Sequence, residues 1–137
     1  VDGIARTMVA RRGWDSRVAV AAGDMFRDPL PRGHDAHLFS NVLHDWDVPG
    51  VRALLAASFA ALEPGGVLIV HDAHLNAEKS GPLPVARYSA LLMAITEGRC
   101  YGTAEMAELL AEAGFTSFGF RETVADRSVV WAEKPLG

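Results

Sequence analysis

The sequence predicts an α/β fold with a mostly parallel sheet, and three observations support that class. Apolar strand-like segments alternate with segments of helical period along the chain. The run VLIV at residues 67–70 has no polar alternation, which is typical of a parallel strand covered on both faces. Two consecutive strand-like segments, at 116–122 and 128–133, predict an antiparallel hairpin at an edge of the sheet.

Two further strands are expected earlier in the chain. Residues 17–22 (RVAVAA) indicate a short buried strand that ends at Gly23 and Asp24. Residues 36–42 indicate a second strand, and residues 28–33 form the loop between the two. With residues 67–70, these segments give three candidate parallel strands.

Helical spacing of apolar residues predicts four helices. The first helix carries an apolar face at its start, made of Ile4, Ala5, Met8 and Val9. The boundary signals are Gly13 after the first helix, Asp47 and Pro49 at the start of the second, Pro84 at the start of the third, and Thr103 and Gly114 as the two caps of the fourth.

Composition and charge narrow the classes of function. Half of the 137 residues are apolar and 22% are charged, which excludes intrinsic disorder. The net charge of −4 argues against binding to nucleic acid or to an anionic membrane, and the longest apolar run, residues 53–62, is about half a membrane span. The single cysteine, Cys100, excludes an intrachain disulfide and fits a reducing cytoplasm. We therefore expect one cytoplasmic domain, residues 1–137, that handles small molecules.

Polar residues follow three of the predicted strands, in the stretches 23–26 (GDMF), 40–46 (SNVLHDW) and 71–72 (HD). In open α/β sheets, ligands bind beyond the carboxyl ends of parallel strands. A carboxylate there can bind a ribose or an adenine amino group, and His44 beside Asp45 and Trp46 can act as a general base. Alternatively, Asp24 is a turn residue, and Asp45 and Asp47 are helix caps.

Four segments together resemble a known family: GDMF at 23–26, DAHLFSNVLHDWD at 35–47, LEPGGVLIVHD at 62–72 and AELLAEAGF at 107–115. They are similar to the small-molecule O-methyltransferases of the plant caffeate and hydroxyindole type, which have bacterial relatives that act on natural-product phenols. The resemblance implies a Rossmann-like class I methyltransferase sheet, S-adenosylmethionine as cofactor, S-adenosylhomocysteine as product and a small aromatic substrate. It also implies a homodimer for the complete protein.

The resemblance also implies roles for single residues. His44 matches the catalytic base, Asp45 is its neighbour, and Asp72 falls where plant members have a glutamate that orients the histidine. Trp46 and Met93 are candidate walls of the substrate pocket or, equally, core residues. The candidate cofactor-binding residues are Asp24, which matches the residue that holds the adenine, with Met25 and Phe26 beside the ring, and Ser40 and Asn41.

The sequence departs from the family pattern in several places. Ser40 stands where plant members have a lysine, and Tyr101 and Gly102 stand where a second glutamate is expected. No GxG triplet occurs, so the glycine-rich cofactor loop is absent, and the chain resembles the C-terminal part of a catalytic domain without its first two strands or the N-terminal dimerisation domain. In the family order 3-2-1-4-5-7-6, residues 17–22 would be strand three. Residues 36–42 would be strand four, with a bare apolar edge.

Two other functions stay open. A non-catalytic regulatory or dimerisation module is favoured by the missing glycine loop, whereas the intact His44-Asp45-Trp46 stretch favours the enzyme. A relative could also use the pocket for a different reaction. No metal is expected, because His71 and His74, three positions apart on an extended strand, point to opposite faces. Cys100 is expected to be a buried apolar residue.

Overall fold

The protein is described here by a computed structural model that covers residues 2–137. The elements follow in the order α1 (Asp2–Arg11), β1 (Ala36–Ser40), a 3₁₀ turn (Leu43–Asp45), α2 (Val48–Ala61), β2 (Val67–Asp72), α3 (Leu83–Ile95), α4 (Thr103–Glu112), β3 (Thr116–Glu122) and β4 (Ser128–Glu133). This alternation, together with the closing pair of strands, confirms the α/β class.

The four strands form one sheet in the order β1-β2-β4-β3. Strands β1 and β2 are parallel, with a register that runs from Ala36 opposite Val67 to Ser40 opposite His71. The β2–β4 and β4–β3 pairs are antiparallel, so the predicted hairpin is confirmed and the sheet is mixed rather than mostly parallel. The observed order corresponds to the 4-5-7-6 part of the order that the resemblance implied.

The strand predicted at residues 17–22 does not form, and this explains the low share of parallel pairing. The segment has no regular secondary structure, and Val18 is 42% exposed. A strand needs a neighbour for its backbone N–H and C=O groups, and no described residue pairs with this segment. The prediction from the apolar run was therefore wrong, because pairing decides strand formation. As expected, β1 is an edge strand, and its Leu38 is 63% exposed.

The core lies between one face of the sheet and the helices α2 and α4. Strand β2 contributes Leu68 and Val70, both fully buried, while alternate residues of β2 are only partly buried. Its apolar run is thus covered on one face more fully than on the other. Helix α2 begins as predicted, since the Asp47 carboxylate accepts a hydrogen bond from the Gly50 N–H at 2.9 Å.

Two details of the helices differ from the expectations. Helix α1 forms, but it has no buried residue, and its expected apolar face is open, with Ile4 72% and Met8 46% exposed. Gly102, rather than Thr103, is the N-cap of α4. No helix within residues 2–137 is long and apolar enough to cross a membrane.

Candidate active site

The ends of β1 and β2 place a histidine against a carboxylate. The two strands are parallel and in register, so their carboxyl ends lie at the same edge of the sheet. Alternation along β2 turns Asp72 to the buried face, and the 3₁₀ turn after β1 brings His44 over it. His44 is 5% and Asp72 4% exposed. His44 and Asp72, which lie 28 positions apart in the sequence, thus form one buried pair.

The His44–Asp72 contact fixes the state of the imidazole ring. The Nδ1 atom of His44 lies 2.5 Å from Oδ1 of Asp72, which also accepts a hydrogen bond from the Ala73 N–H at 2.8 Å. A carboxylate in that position favours the tautomer that carries its proton on Nδ1, so Nε2 is left as the proton acceptor. The hydrogen bond that His44 donates to Asp72 raises the pKa of His44 above 6.5, although burial opposes the shift.

Two side chains flank the Nε2 atom of His44. The hydroxyl of Tyr88 lies 3.4 Å away, and an Asp45 carboxylate oxygen lies 3.5 Å away. The Tyr88 and His44 rings meet edge to face, with centroids 5.5 Å apart. On the Tyr88 ring, at 5.1 Å, lies the Arg127 guanidinium, whose Nε donates to Oδ1 of Asn41 at 2.9 Å. The acceptor side of His44 is therefore lined by an aromatic ring, a carboxylate and a nearby cation.

The segment 23–26 forms a turn beside Trp46. The Asp24 carboxylate accepts a hydrogen bond from the Phe26 N–H at 3.0 Å and pairs with Arg27 at 3.5 Å, so Asp24 does hold a turn. Its side chain is nevertheless half-exposed and open to a ligand. Phe26 packs edge to face on Trp46 at 4.6 Å, and Met25 packs on the core. The turn and the segment after β1 are thus joined by aromatic contact.

The other predicted residues lie further from the imidazole. The Ser40 hydroxyl lies 3.0 Å from Nδ1 of His71, while Asn41 is joined to the site through Arg127. Met93 is 65% exposed on α3, so the core alternative for this residue was wrong. Trp46 is partly buried against the core.

His74 lies apart from the imidazole of His44 and has a partner of its own. The Nδ1 atom of His74 lies 2.9 Å from the Ser128 hydroxyl, and His74 lines a cleft of about 380 Å³ with Arg127 and Phe120. His44 does not line this cleft. Within residues 2–137, no three histidine, cysteine, aspartate or glutamate side chains group as a metal site would require.

Sequence reasoning missed four residues that contact the site. Tyr88 flanks the imidazole and Arg127 lies on the Tyr88 ring, while Gly98 and Tyr101 contact the backbone around His44. Tyr101 was noted only as the place of a missing glutamate. The one available signal was Tyr88, a polar ring on the apolar face of a predicted helix. Arg127 lies far from His44 in the sequence, and only the β3–β4 hairpin brings it close.

The chain is similar to known proteins in both sequence and fold. The family model of the O-methyltransferase domain matches residues 2–116. The 3-hydroxy-5-methyl-1-naphthoate 3-O-methyltransferase of Streptomyces sahachiroi is 40% identical over 111 residues, which are 81% of this chain and 32% of that protein. The chain thus spans about a third of the length of this relative.

Two solved structures share the fold. An O-methyltransferase family 2 protein from Planctomyces limnophilus, solved with apigenin, has a TM-score of 0.91 and 39% identity, covering 96% of this chain and 39% of that one. Human N-acetylserotonin methyltransferase, solved with SAM, has a TM-score of 0.83 and 32% identity, covering 88% and 34%. With the family match over most of its length, this chain belongs to the O-methyltransferase domain family.

Proposed function

We propose that the protein transfers a methyl group from S-adenosylmethionine to a hydroxyl of a small aromatic natural product, with His44 as the general base. The observation that carries the proposal is the buried contact between Nδ1 of His44 and Asp72, which leaves Nε2 as an acceptor. Residues 1–137 would then be part of a longer catalytic domain. A homodimer and a cytoplasmic location complete the proposal for the full-length protein.

A base is needed because the acceptor is a weak acid. A phenol has a pKa of about 10 and is mostly protonated at neutral pH. His44 would take the hydroxyl proton on Nε2 while Asp72 stabilises the imidazolium that forms. The phenol oxygen would form the new bond to the methyl carbon as the methyl–sulfur bond breaks, which gives S-adenosylhomocysteine. Much of the acceleration would come from holding the two reactants in line.

The turn at 23–26 suits the adenosine half of the cofactor. S-adenosylmethionine supplies an electrophilic methyl group on a sulfonium centre. The half-exposed Asp24 carboxylate would accept a hydrogen bond from the adenine amino group, and Met25 and Phe26 would lie against the ring. Ser40 ends β1 and Asn41 follows it, at the same edge of the sheet, so both would lie near the cofactor. This acidic and apolar set of side chains fits a purine.

An aromatic acceptor fits the side chains around Nε2. The rings of Tyr88 and Trp46 offer flat apolar surfaces near His44, and Met93 presents an exposed thioether on α3. The names of the relatives point the same way, since they refer to a naphthoate and to acetylserotonin. Asp45, 3.5 Å from Nε2, would favour the protonated ring after proton transfer.

Two substitutions in the full-length protein separate the two roles. His44→Gln should lower turnover by roughly 10²–10⁴-fold and leave cofactor affinity nearly unchanged, because the glutamine cannot take a proton. Asp24→Ala should instead weaken S-adenosylhomocysteine binding, with little loss of thermal stability. Calorimetric titration and steady-state kinetics on phenols measure both effects.

The acidity of the acceptor provides a further control. The effect of His44→Gln should shrink for phenols that are already ionised at the assay pH, since those need no base. Full activity of this variant on a weakly acidic phenol would refute the role of His44. Wild-type protein that shows no saturable binding of S-adenosylhomocysteine would instead support a non-catalytic module.

A further inference from the structure

The loop of residues 96–102, named here the brace loop, contacts the backbone of the turn that carries His44. The hydroxyl of Tyr101 donates a hydrogen bond to the Trp46 carbonyl at 2.7 Å. Tyr101 is 2% exposed, and burial raises its pKa to about 12, so the hydroxyl stays protonated as a donor. This single bond ties the brace loop to the end of the turn.

Gly98 brings a second part of the brace loop against the same turn. A Cβ atom at position 98 would lie 2.5 Å from the Trp46 nitrogen and would also overlap the His44 carbonyl oxygen. Since side chains do not tolerate such distances, only glycine allows this approach. The turn is therefore held both by the Tyr101 hydrogen bond and by direct backbone packing at Gly98.

The brace loop is itself fixed at several points. Arg99 makes two hydrogen bonds to the Glu105 carboxylate, at 2.6 and 3.0 Å, and lies over the Tyr101 ring at 4.6 Å. Although partial burial opposes it, the bonds from Arg99 and Lys79 lower the pKa of Glu105 to about 2. The backbone carbonyl of Tyr101 also accepts from the Leu75 N–H at 3.0 Å. The loop is thus a rigid support joined to α4 and to the segment after β2.

We propose that the brace loop positions His44 for catalysis, with Tyr101 and Gly98 as positioning residues that act through the backbone of residues 44–46. This inference rests on the proposed function of His44 as the base. Asp72 orients the imidazole from its Nδ1 side, but the ring can reach Asp72 only if the turn that carries His44 is held at the right distance from the end of β2. The Tyr101 hydrogen bond and the close backbone approach at Gly98 supply that second constraint.

Tyr101→Phe removes the hydroxyl and keeps the ring. The turn should shift, so that the contact between Nδ1 of His44 and Asp72 weakens and the pKa of His44 falls toward 6.5. The plateau of kcat should fall by about 10–100-fold, since small misplacements of a catalytic group have effects of this size. The acid limb of the pH–rate profile should move to lower pH, with less than about a twofold change in acceptor KM. NMR titration of the His44 ring and steady-state kinetics measure these effects.

Ser58→Ala is the matched control. Ser58 is fully buried, and its hydroxyl lies 2.8 Å from Nδ1 of His37, so this variant also loses a partly buried hydrogen bond, but between α2 and β1. It should lower the unfolding temperature as Tyr101→Phe does, yet leave the His44 titration and the acid limb unchanged. If Tyr101→Phe fails to fold, Arg99→Met carries the test, because it loosens the brace loop from its more exposed side and should move the His44 titration in the same direction.

A His44 titration in Tyr101→Phe that matches the wild type, together with unchanged kcat, would overturn the inference. The same holds if Ser58→Ala moves the titration as far, since the effect would then be a general loss of stability. The NMR titration does not depend on methyl transfer. If the wild type proved inactive, the proposed function would fail, while a shifted titration of His44 in Tyr101→Phe would still show that the brace loop positions this ring.

Discussion

His74 should make the protein less stable in mild acid. The ring is 6% exposed, its Nδ1 lies 2.9 Å from the Ser128 hydroxyl, and its Nε2 is buried without a partner among the described residues. Burial lowers the pKa of His74 from 6.5 to about 4, because a charged ring would lose its hydration there. Folding therefore keeps this imidazole neutral at pH values where the unfolded chain protonates it.

The pH window follows from the two pKa values. Between about pH 4 and 6.5 the unfolded state binds more protons at His74 than the folded state, so stability rises with pH in that interval. The contribution is complete above about pH 6.5 and is lost as the pH falls toward 4. A difference of about 2.5 units corresponds to about 3 kcal/mol in full, and about 2 kcal/mol is already lost at pH 5.

Urea denaturation at pH 7 and pH 5, on the wild type and on His74→Gln, measures this loss. Glutamine cannot titrate and can still bond to Ser128, so the variant should lose about 2 kcal/mol less than the wild type between the two pH values. The comparison matters because His44, whose pKa is raised, acts with the opposite sign and gives stability that is lost as the pH rises. His34→Gln, at an exposed loop position, is the matched control. Equal losses in the wild type and His74→Gln would refute the reasoning.

The two remaining predictions concern Asp72 and Cys100. Asp72→Asn should lower the pKa of His44 toward 6.5, so the acid limb of the pH–rate profile should move to lower pH. Turnover should fall by at least about tenfold. An acid limb that does not move would show that a group other than His44 determines it. Burial raises the pKa of the 1% exposed Cys100 thiol to about 11, so at pH 8 only about one molecule in a thousand carries a thiolate. A disulfide reagent should therefore label it only after denaturation, and rapid labelling of folded protein would count against this assignment.

Local signals in the sequence correctly predicted those helices and strands that find packing or pairing partners within the described residues. The apolar runs of β1 and β2 and the Asp47 cap are signals of this kind. Residues 17–22 carry an equally apolar run, but a strand depends on pairing, which the run itself does not encode. The positions of His44 and Asp72 at one edge of the sheet were predicted from the strand ends, whereas their pairing was implied by the resemblance to the family. The role of Tyr101 could not be predicted, since its partner is the Trp46 carbonyl, a backbone atom that every residue type possesses.

Because side chains alternate between the two faces of β2, the His44–Asp72 pair depends on the exact number of residues in this strand. It depends much less on which side chains occupy the outer face of β2. Leu68, Val70 and Asp72 share the buried face, and His71 lies on the other face, opposite Ser40 of β1. Inserting or deleting one residue within β2 would turn Asp72 away from His44 and put His71 or Ala73 in its place. During divergence of such a domain, substitutions can therefore accumulate on the outer face of β2. Single-residue insertions and deletions must be confined to the loops before Val67 and after Asp72.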